Sequence, residues 1–379
     1  MTVPARPGLD VLSPYVPGEA KIPGIDNPIR LASNENSMGC SPKAVDAFLS
    51  LSRQLHRYPD PSATRLRETI SDRFKLHLKR IVCGAGSDEL IELLAQAYAG
   101  PGDEIIYSQY GFMKYGITAV AVGAKPVPVP EKDFKTQITE ILAAITPRTR
   151  IVFLANPNNP TGSLLTLDEI LTLHRGLPSR VLLVLDAAYA DYVDDKTYDP
   201  GYFLAEDKEN VVVLRTFSKI YGLAALRIGW AYAHESIIDI LNRIRGPFTL
   251  SAPSQAAACA ALGDRQHVQK SFQHNRQWLR WVTQHIQQLR YHVLPSAGNF
   301  VMVHFSQSMK PSHRKQGTQL AQDVKSFLNQ QGIIVRPLDP YGLPDCLRIT
   351  IGTAQEMETV VRKFQDYQSR HQHLRQSVG

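Results

Sequence analysis

The sequence predicts an α/β fold, with a large domain on a mostly parallel central sheet and a smaller α+β domain after it. Three observations carry that expectation. First, apolar runs at Arg150-Ile151-Val152-Phe153-Leu154, Val181-Leu182-Leu183-Val184-Leu185 and Val211-Val212-Val213-Leu214 recur at about thirty residues, the length of a βαβ unit. Second, each run is continuously apolar rather than alternating, which suits strands covered on both faces. Third, the last part of the chain carries further strand-like runs with helical stretches between and after them, an α+β pattern.

Taken in order, residues 1–44 read as an N-terminal arm that joins the small domain or a dimer contact. Residues 45–265 read as the large domain and 266–379 as the small one. Ile81-Val82-Cys83 is a strand that runs into the small-residue turn Gly84-Ala85-Gly86-Ser87-Asp88-Glu89. A helix follows from about residue 88 to 99, with Leu90, Ile91, Leu93, Leu94 and Ala97 on its apolar side. Between the first two long runs, Thr166-Leu167-Asp168-Glu169 opens a helix with Thr166 as N-cap and Glu169 completing a capping box. In the second domain, residues 300–305, 333–336 and 347–351 read as strands, and 319–329 and 354–367 as helices.

The polar residues that end these strands have complementary chemistry. Lys219 lies in Thr216-Phe217-Ser218-Lys219, with Arg227 eight residues on. This joins an amine able to capture an aldehyde to hydroxyls and a guanidinium suited to a phosphate. Asp186 ends the second run, and a carboxylate there can hold a protonated ring nitrogen. Tyr189 and Asn159 can donate hydrogen bonds to a phenolic oxygen. The turn at Gly86, Ser87 and Asp88 opens a helix whose free N–H groups make an anion seat. It is neither a dinucleotide fingerprint, since the third glycine falls at Glu89, nor a Walker loop. Each feature alone has a structural alternative: a solvated Ser-Lys pair, a helix-capping Asp186, turn chemistry at Asn159, a core tyrosine at Tyr189. A parallel sheet brings all of them to one edge, where ligands bind in open α/β folds.

With these segments in hand, the chain resembles the fold-type I pyridoxal-phosphate aminotransferases. The matching elements are Asn156-Pro157-Asn158-Asn159-Pro160-Thr161-Gly162, Asp186-Ala187-Ala188-Tyr189, and Thr216-Phe217-Ser218-Lys219 with Arg227. Within that superfamily it is most similar to the histidinol-phosphate aminotransferases. Ser13-Pro14-Tyr15-Val16-Pro17-Gly18, Leu31-Ala32-Ser33-Asn34-Glu35-Asn36, Arg57-Tyr58-Pro59-Asp60 and Gly84-Ala85-Gly86-Ser87-Asp88-Glu89 carry that likeness. The resemblance implies that Lys219 holds pyridoxal 5'-phosphate covalently and then shuttles a proton. Asp186 would pair its ring nitrogen, Asn159 and Tyr189 its ring oxygen, and Phe112 would stack on the ring. Thr216, Ser218, Arg227 and the turn Gly86-Ser87-Asp88 would hold its phosphate.

The same likeness implies that Arg348 and Arg336 bind the phosphate of histidinol phosphate, and the carboxylate of glutamate in the other half-reaction. Tyr15 and Tyr58 would complete the pocket, Tyr58 from the partner subunit of a homodimer. The implied reaction converts L-histidinol phosphate and 2-oxoglutarate to imidazole-acetol phosphate and L-glutamate, in histidine biosynthesis. One departure is local: the family's prolines after Asn34-Glu35-Asn36 are replaced by Ser37 and Cys40. An aromatic amino-acid aminotransferase shares every cofactor residue and is the main alternative. A phosphothreonine decarboxylase and a non-catalytic effector-binding module are further ones.

Composition bounds the rest. The chain has 379 residues and 43% apolar content, ample for a globular core. The prolines at positions 4, 7, 14 and 17, without an apolar run, argue against a signal peptide, and no stretch approaches a membrane span. Cys40, Cys83, Cys259 and Cys346 are scattered and read as reduced thiols of a cytoplasmic protein. The histidines show no metal-binding spacing. The net charge is +7, but Lys and Arg are spread out, so neither nucleic acid nor membrane is expected as a partner. The densest basic patches, at 310–315 and 370–373, read as solvated surface.

Overall fold

Seven strands form the main sheet of the computed structural model, which describes residues 3, 6, 8–12, 14, 18–308 and 316–376. In spatial order they are Ile81–Gly84, Gly229–Ala233, Val211–Thr216, Leu182–Asp186, Thr149–Ala155, Glu104–Ser108 and Lys125–Val129. Gly229–Ala233 is antiparallel to both neighbours, and the other pairings are parallel. The carboxyl ends at Gly84, Thr216, Asp186, Ala155 and Ser108 therefore lie along one edge of the sheet.

The continuous apolar runs are explained by helices on both faces. Val152, Leu154, Leu183, Leu185, Val211 and Val213 pack into one core. Their alternates Ile151, Phe153, Leu182, Val184, Val212 and Leu214 pack into the other. Each such side chain taken from water stabilises the fold by roughly 1.5–3 kcal/mol. The capping box forms as expected. Thr166 Oγ1 accepts from the Glu169 N–H, the Glu169 carboxylate accepts from the Thr166 N–H, and the helix runs Leu167–Gly176. The helix after the small-residue turn starts earlier than expected, at Gly86, and runs to Tyr98. Ala95 is buried in it, while Ala97 is only half-buried.

A second sheet of five strands has the order Ile29–Leu31, Ile333–Leu338, Leu343–Thr350, Phe300–His304 and His292–Leu294. Its central strands are buried on both faces, and successive side chains alternate between them. Val301, Val303, Val335, Leu347 and Ile349 face a core shared with helices Gly317–Gln330, Arg265–Gln288 and Ala354–Gln376. Arg336 and Arg348 fall on the opposite phase, and their Cα atoms are registered across neighbouring strands. Ile29–Leu31 runs parallel to Ile333–Leu338, so the arm adds a strand to this sheet. The segment just after it, residues 32–36, is thereby carried toward the edge of the larger sheet.

Tyr15 and the basic patch at 310–315 lie outside the described residues. Of the other basic patch, Arg370 lies over the ring of Phe327 at 5.3 Å. His304, Asp345 and Cys346 come within 4.8 Å of one another although their spacing carries no metal signature. There His304 Nε2 is 2.9 Å from Asp345, and that contact holds the Asp345 carboxyl down at about 2. Among the described residues no helix is long and apolar enough to cross a membrane.

Candidate active site

One cleft opens over the carboxyl edge of the main sheet and is closed on its far side by the second sheet. Ser87, Asp88, Phe112, Asn159, Asp186, Tyr189, Thr216, Ser218, Lys219, Arg227, Arg336 and Arg348 all line it. Among the described residues, every site residue expected from the sequence within one chain is thus brought together, apart from Gly86, which lies directly behind Arg227.

Lys219 sits three residues beyond the strand Val211–Thr216. Its Nζ donates to the Ser33 carbonyl at 3.3 Å and lies 5.6 Å from the centre of the Tyr189 ring. Its pKa is lowered to about 8, first by desolvation in the cleft, then by the Arg348 charge, with Arg227 a lesser contributor. Asp186 shows the mirror effect. Burial lifts its carboxyl to about 6, against hydrogen bonds from Tyr115 and the Ala188 N–H that favour the ionised form. The cleft thus holds an amine and a carboxylate that both titrate near neutrality.

The anion seat is built from backbone as much as side chain. Arg227 has φ 51°, the left-handed region, which turns its guanidinium back onto the helix start. Its Nη2 donates to Asp88 at 3.0 Å and its Nη1 to Ser218 Oγ at 3.3 Å. A Cβ on Gly86 would lie 2.6 Å from Arg227 Nη2. A Cβ on Gly229 would lie 2.5 Å from both the Gly86 carbonyl carbon and the Ser87 nitrogen. Both positions must stay bare for the arginine, the helix N-terminus and the neighbouring strand to meet. The Thr216 hydroxyl accepts from the Ser218 N–H at 3.1 Å and donates to the Ile228 carbonyl at 3.4 Å. Thr216 therefore shapes the turn, while Ser218 presents its hydroxyl to the guanidinium and Ser87 lines the same cleft.

On the opposite wall, Arg348 donates Nη2 to the Ala32 carbonyl at 2.7 Å and Nη1 to Asn159 Oδ1. Its Nε is buried without a hydrogen-bond partner among the described residues. Because the Asn159 oxygen is occupied, its amide NH2 is the group left to donate. The Tyr189 hydroxyl accepts from Asn34 Nδ2 at 2.9 Å, and burial raises its pKa, so it stays a neutral phenol.

Asn34, with φ 55°, was not among the expected site residues. It also ties to Thr350 through its N–H at 3.0 Å, and its carbonyl accepts from Asn299 at 3.1 Å. Its sequence signal was its place in Leu31-Ala32-Ser33-Asn34-Glu35-Asn36, one of the stretches that carry the family likeness, which gave it no role of its own. Tyr115, which donates to Asp186, carried no signal at all. Tyr58 does not join the cleft of its own chain. It is 81% exposed and stacked on Phe248 at 4.5 Å.

Residues 26–364 match the family model of the class I and II aminotransferases. The chain belongs to that family. It is 46% identical, over 361 residues, to the histidinol-phosphate aminotransferase of Maricaulis maris, covering 95% of this chain and 98% of that one. The enzyme of the same name from Rhodospirillum centenum is 47% identical, with 96% and 98% covered. Among solved structures, the histidinol-phosphate aminotransferase of Sinorhizobium meliloti in complex with pyridoxal-5'-phosphate superposes with a TM-score of 0.86 at 26% identity. That match covers 98% of this chain and 99% of the other. The two-sheet architecture is that of the fold-type I aminotransferases.

Proposed function

We propose that this chain is a pyridoxal-phosphate-dependent aminotransferase that moves the amino group of L-histidinol phosphate to 2-oxoglutarate, in histidine biosynthesis. The observation that carries the reading is the meeting of Lys219, Asp186, Arg227 and the Arg336–Arg348 pair in one cleft.

The residues fit the cofactor on the structure's own terms. The bare backbone at Gly86 and Gly229 opens an anion seat against Arg227. Lys219, with its pKa near 8, is partly neutral and able to hold an aldehyde. Asp186 lies in the same cleft, where it would face a ring nitrogen, and Phe112 offers a ring face. When bound, the cofactor supplies an electron sink that acidifies the hydrogen on the substrate carbon bearing the amine. Lys219 would take that proton and later give it back, its depressed pKa matching it to both roles. Asp186 keeps the ring nitrogen protonated. Tyr189 and the Asn159 amide donate to the ring oxygen, and Asn34 fixes the Tyr189 hydroxyl.

Arg336 and Arg348 hold the substrate anion, and the unpartnered Nε of Arg348 is a donor waiting for an acceptor there. An arginine pair accepts a phosphate in one half-reaction and a carboxylate in the other. In this reading residues 45–265 form the large, cofactor-carrying domain. Residues 266–379, with the arm 1–44, form the small one, whose closure brings both arginines onto the substrate.

The working unit is a cytoplasmic homodimer. Leu49, Leu55, Phe248 and Tyr58 are exposed at 56%, 70%, 43% and 81%, an apolar face that a second copy would cover. Tyr58 then reaches the partner's cleft.

Substitution Lys219→Ala tests the assignment. The variant is expected to bind cofactor loosely, lose it on gel filtration and turn nothing over. Substantial residual transamination by that variant would refute the role given to Lys219.

A further inference from the structure

Tyr115 belongs to none of the motifs that mark the site, yet it touches the group on which the electron sink depends. It lies in helix Lys114–Val122 and is wholly buried. Its hydroxyl donates to Asp186 Oδ2 at 2.8 Å, while Asp186 Oδ1 accepts the Ala188 N–H at 3.2 Å. Its ring stacks on Phe153 at 4.8 Å with 2° between planes, which fixes the direction of the hydroxyl. The same ring meets Phe112 edge-on at 5.9 Å and 89°.

We propose that Tyr115 is a positioning residue for the transamination chemistry: its hydroxyl keeps the Asp186 carboxylate ionised and aimed into the cleft, while its ring backs Phe112. One side chain thereby sets both the carboxylate at the ring nitrogen and the aromatic face against which the ring lies. This rests on the pyridoxal-phosphate reading above.

The physical case is one of balance. Asp186 is 5% exposed, and a carboxylate out of water drifts toward its neutral form. The Tyr115 hydrogen bond is the largest influence opposing that drift, ahead of the Ala188 N–H and the Lys219 charge, and the nearby Asp88 works against it. Burial and the Asp186 charge push the Tyr115 phenol well above its ordinary pKa, so it remains a donor throughout the working range. Without that donor the carboxylate becomes more basic and draws the proton off the ring nitrogen. An unprotonated ring withdraws fewer electrons, so kcat falls while substrate binding, which is the task of the arginines, stays.

The test compares three holoenzymes loaded with pyridoxal phosphate carrying 15N in the ring: wild type, Tyr115→Phe and Tyr107→Phe. Tyr107 packs edge-on against Tyr115 with ring centres 6.3 Å apart, so its variant removes a hydroxyl from the same cluster without touching Asp186. Borohydride reduction and mass analysis at Lys219 come first. No adduct in the wild type would overturn the cofactor reading itself. With the adduct present, Tyr115→Phe is expected to move the ring-nitrogen resonance toward the unprotonated position at neutral pH. Its kcat should drop roughly ten- to a hundredfold, with KM for the amino donor within about twofold. Tyr107→Phe should leave the resonance in place. An unmoved resonance in Tyr115→Phe overturns the proposal, whether or not kcat falls, because a purely structural defect would not titrate the ring. If that variant does not fold, 3-fluorotyrosine at position 115 keeps the shape with a stronger acid. It should push the resonance further toward the protonated position, and a resonance indifferent to the fluorine overturns the proposal equally.

Discussion

In the proposed reading, Lys219 and Asp186 set the pH behaviour of the apoprotein. Capture of the cofactor aldehyde needs Lys219 neutral, a fraction that grows as pH rises through about 8. It also needs Asp186 ionised, which holds above about 6. The capture rate, followed by absorbance after mixing apoprotein with pyridoxal phosphate, should therefore fall as pH drops through the first value and fall again through the second. Arg348 is the largest charge holding the Lys219 pKa down, so Arg348→Met should move the upper inflection to higher pH. A rate flat across this range would contradict the assignment of both groups. Gly229→Ala tests the anion seat. Its Cβ meets backbone that cannot swing aside, and cofactor affinity should fall at least about tenfold, near 1.4 kcal/mol, by equilibrium titration. At this scale the sequence was legible wherever a residue's chemistry follows a strand end, as for Lys219, Asp186, Tyr189 and Asn159. It assigned no role to Asn34 and Tyr115, whose partners lie 155 and 71 residues away and are set by topology.

Strands Val211–Thr216 and Leu182–Asp186 carry the two loops that must hold Lys219 against Asp186. Beneath them a buried ion pair ties one loop to the other. Arg215 Nη2 donates to Asp191 Oδ2 at 2.6 Å, and the guanidinium lies 5.2 Å from the Phe74 ring and 5.8 Å from Trp230. Asp191→Ala leaves that cation buried among aromatic rings without its counter-charge. Urea unfolding should show a loss of about 3–5 kcal/mol, and a loss under about 1 kcal/mol, the value of a surface pair, would mean that the pair does not brace the loops. Three of the parallel strands, Thr149–Ala155, Leu182–Asp186 and Val211–Thr216, were legible because continuous apolar runs at βαβ spacing admit few other readings, whereas Glu104–Ser108 and Lys125–Val129 were not read. Gly229–Ala233 was not. Gly-Trp-Ala-Tyr-Ala has neither alternation nor β-branched residues, and it becomes a strand because it fills the gap between two others. The strand at 29–31 is too short to read alone and exists through its pairing with 333–335.

In the proposed homodimer, two copies of the chain are the unit in which the site is complete. Tyr58 projects away from its own cleft, so Tyr58→Ala and Lys219→Ala should complement when their subunits are mixed and reassociated. Half of the dimers are then mixed, each with one intact site, and about a quarter of wild-type activity should return. Activity no greater than the sum of the two variants alone would place Tyr58 outside the partner's site. The main sheet and the cleft along its carboxyl edge were legible in outline, since the polar strand ends needed one common edge. Which anion the arginine pair prefers was not, because the same guanidinium geometry takes phosphate and carboxylate alike. That preference is the centre of the functional reading. It is tested most directly by a single-turnover absorbance titration of the holoenzyme with L-histidinol phosphate against L-phenylalanine. Conversion of the cofactor to its amine form at far lower histidinol phosphate is the expected result. Equal or better conversion by phenylalanine would contradict it and make the protein an aromatic amino-acid aminotransferase.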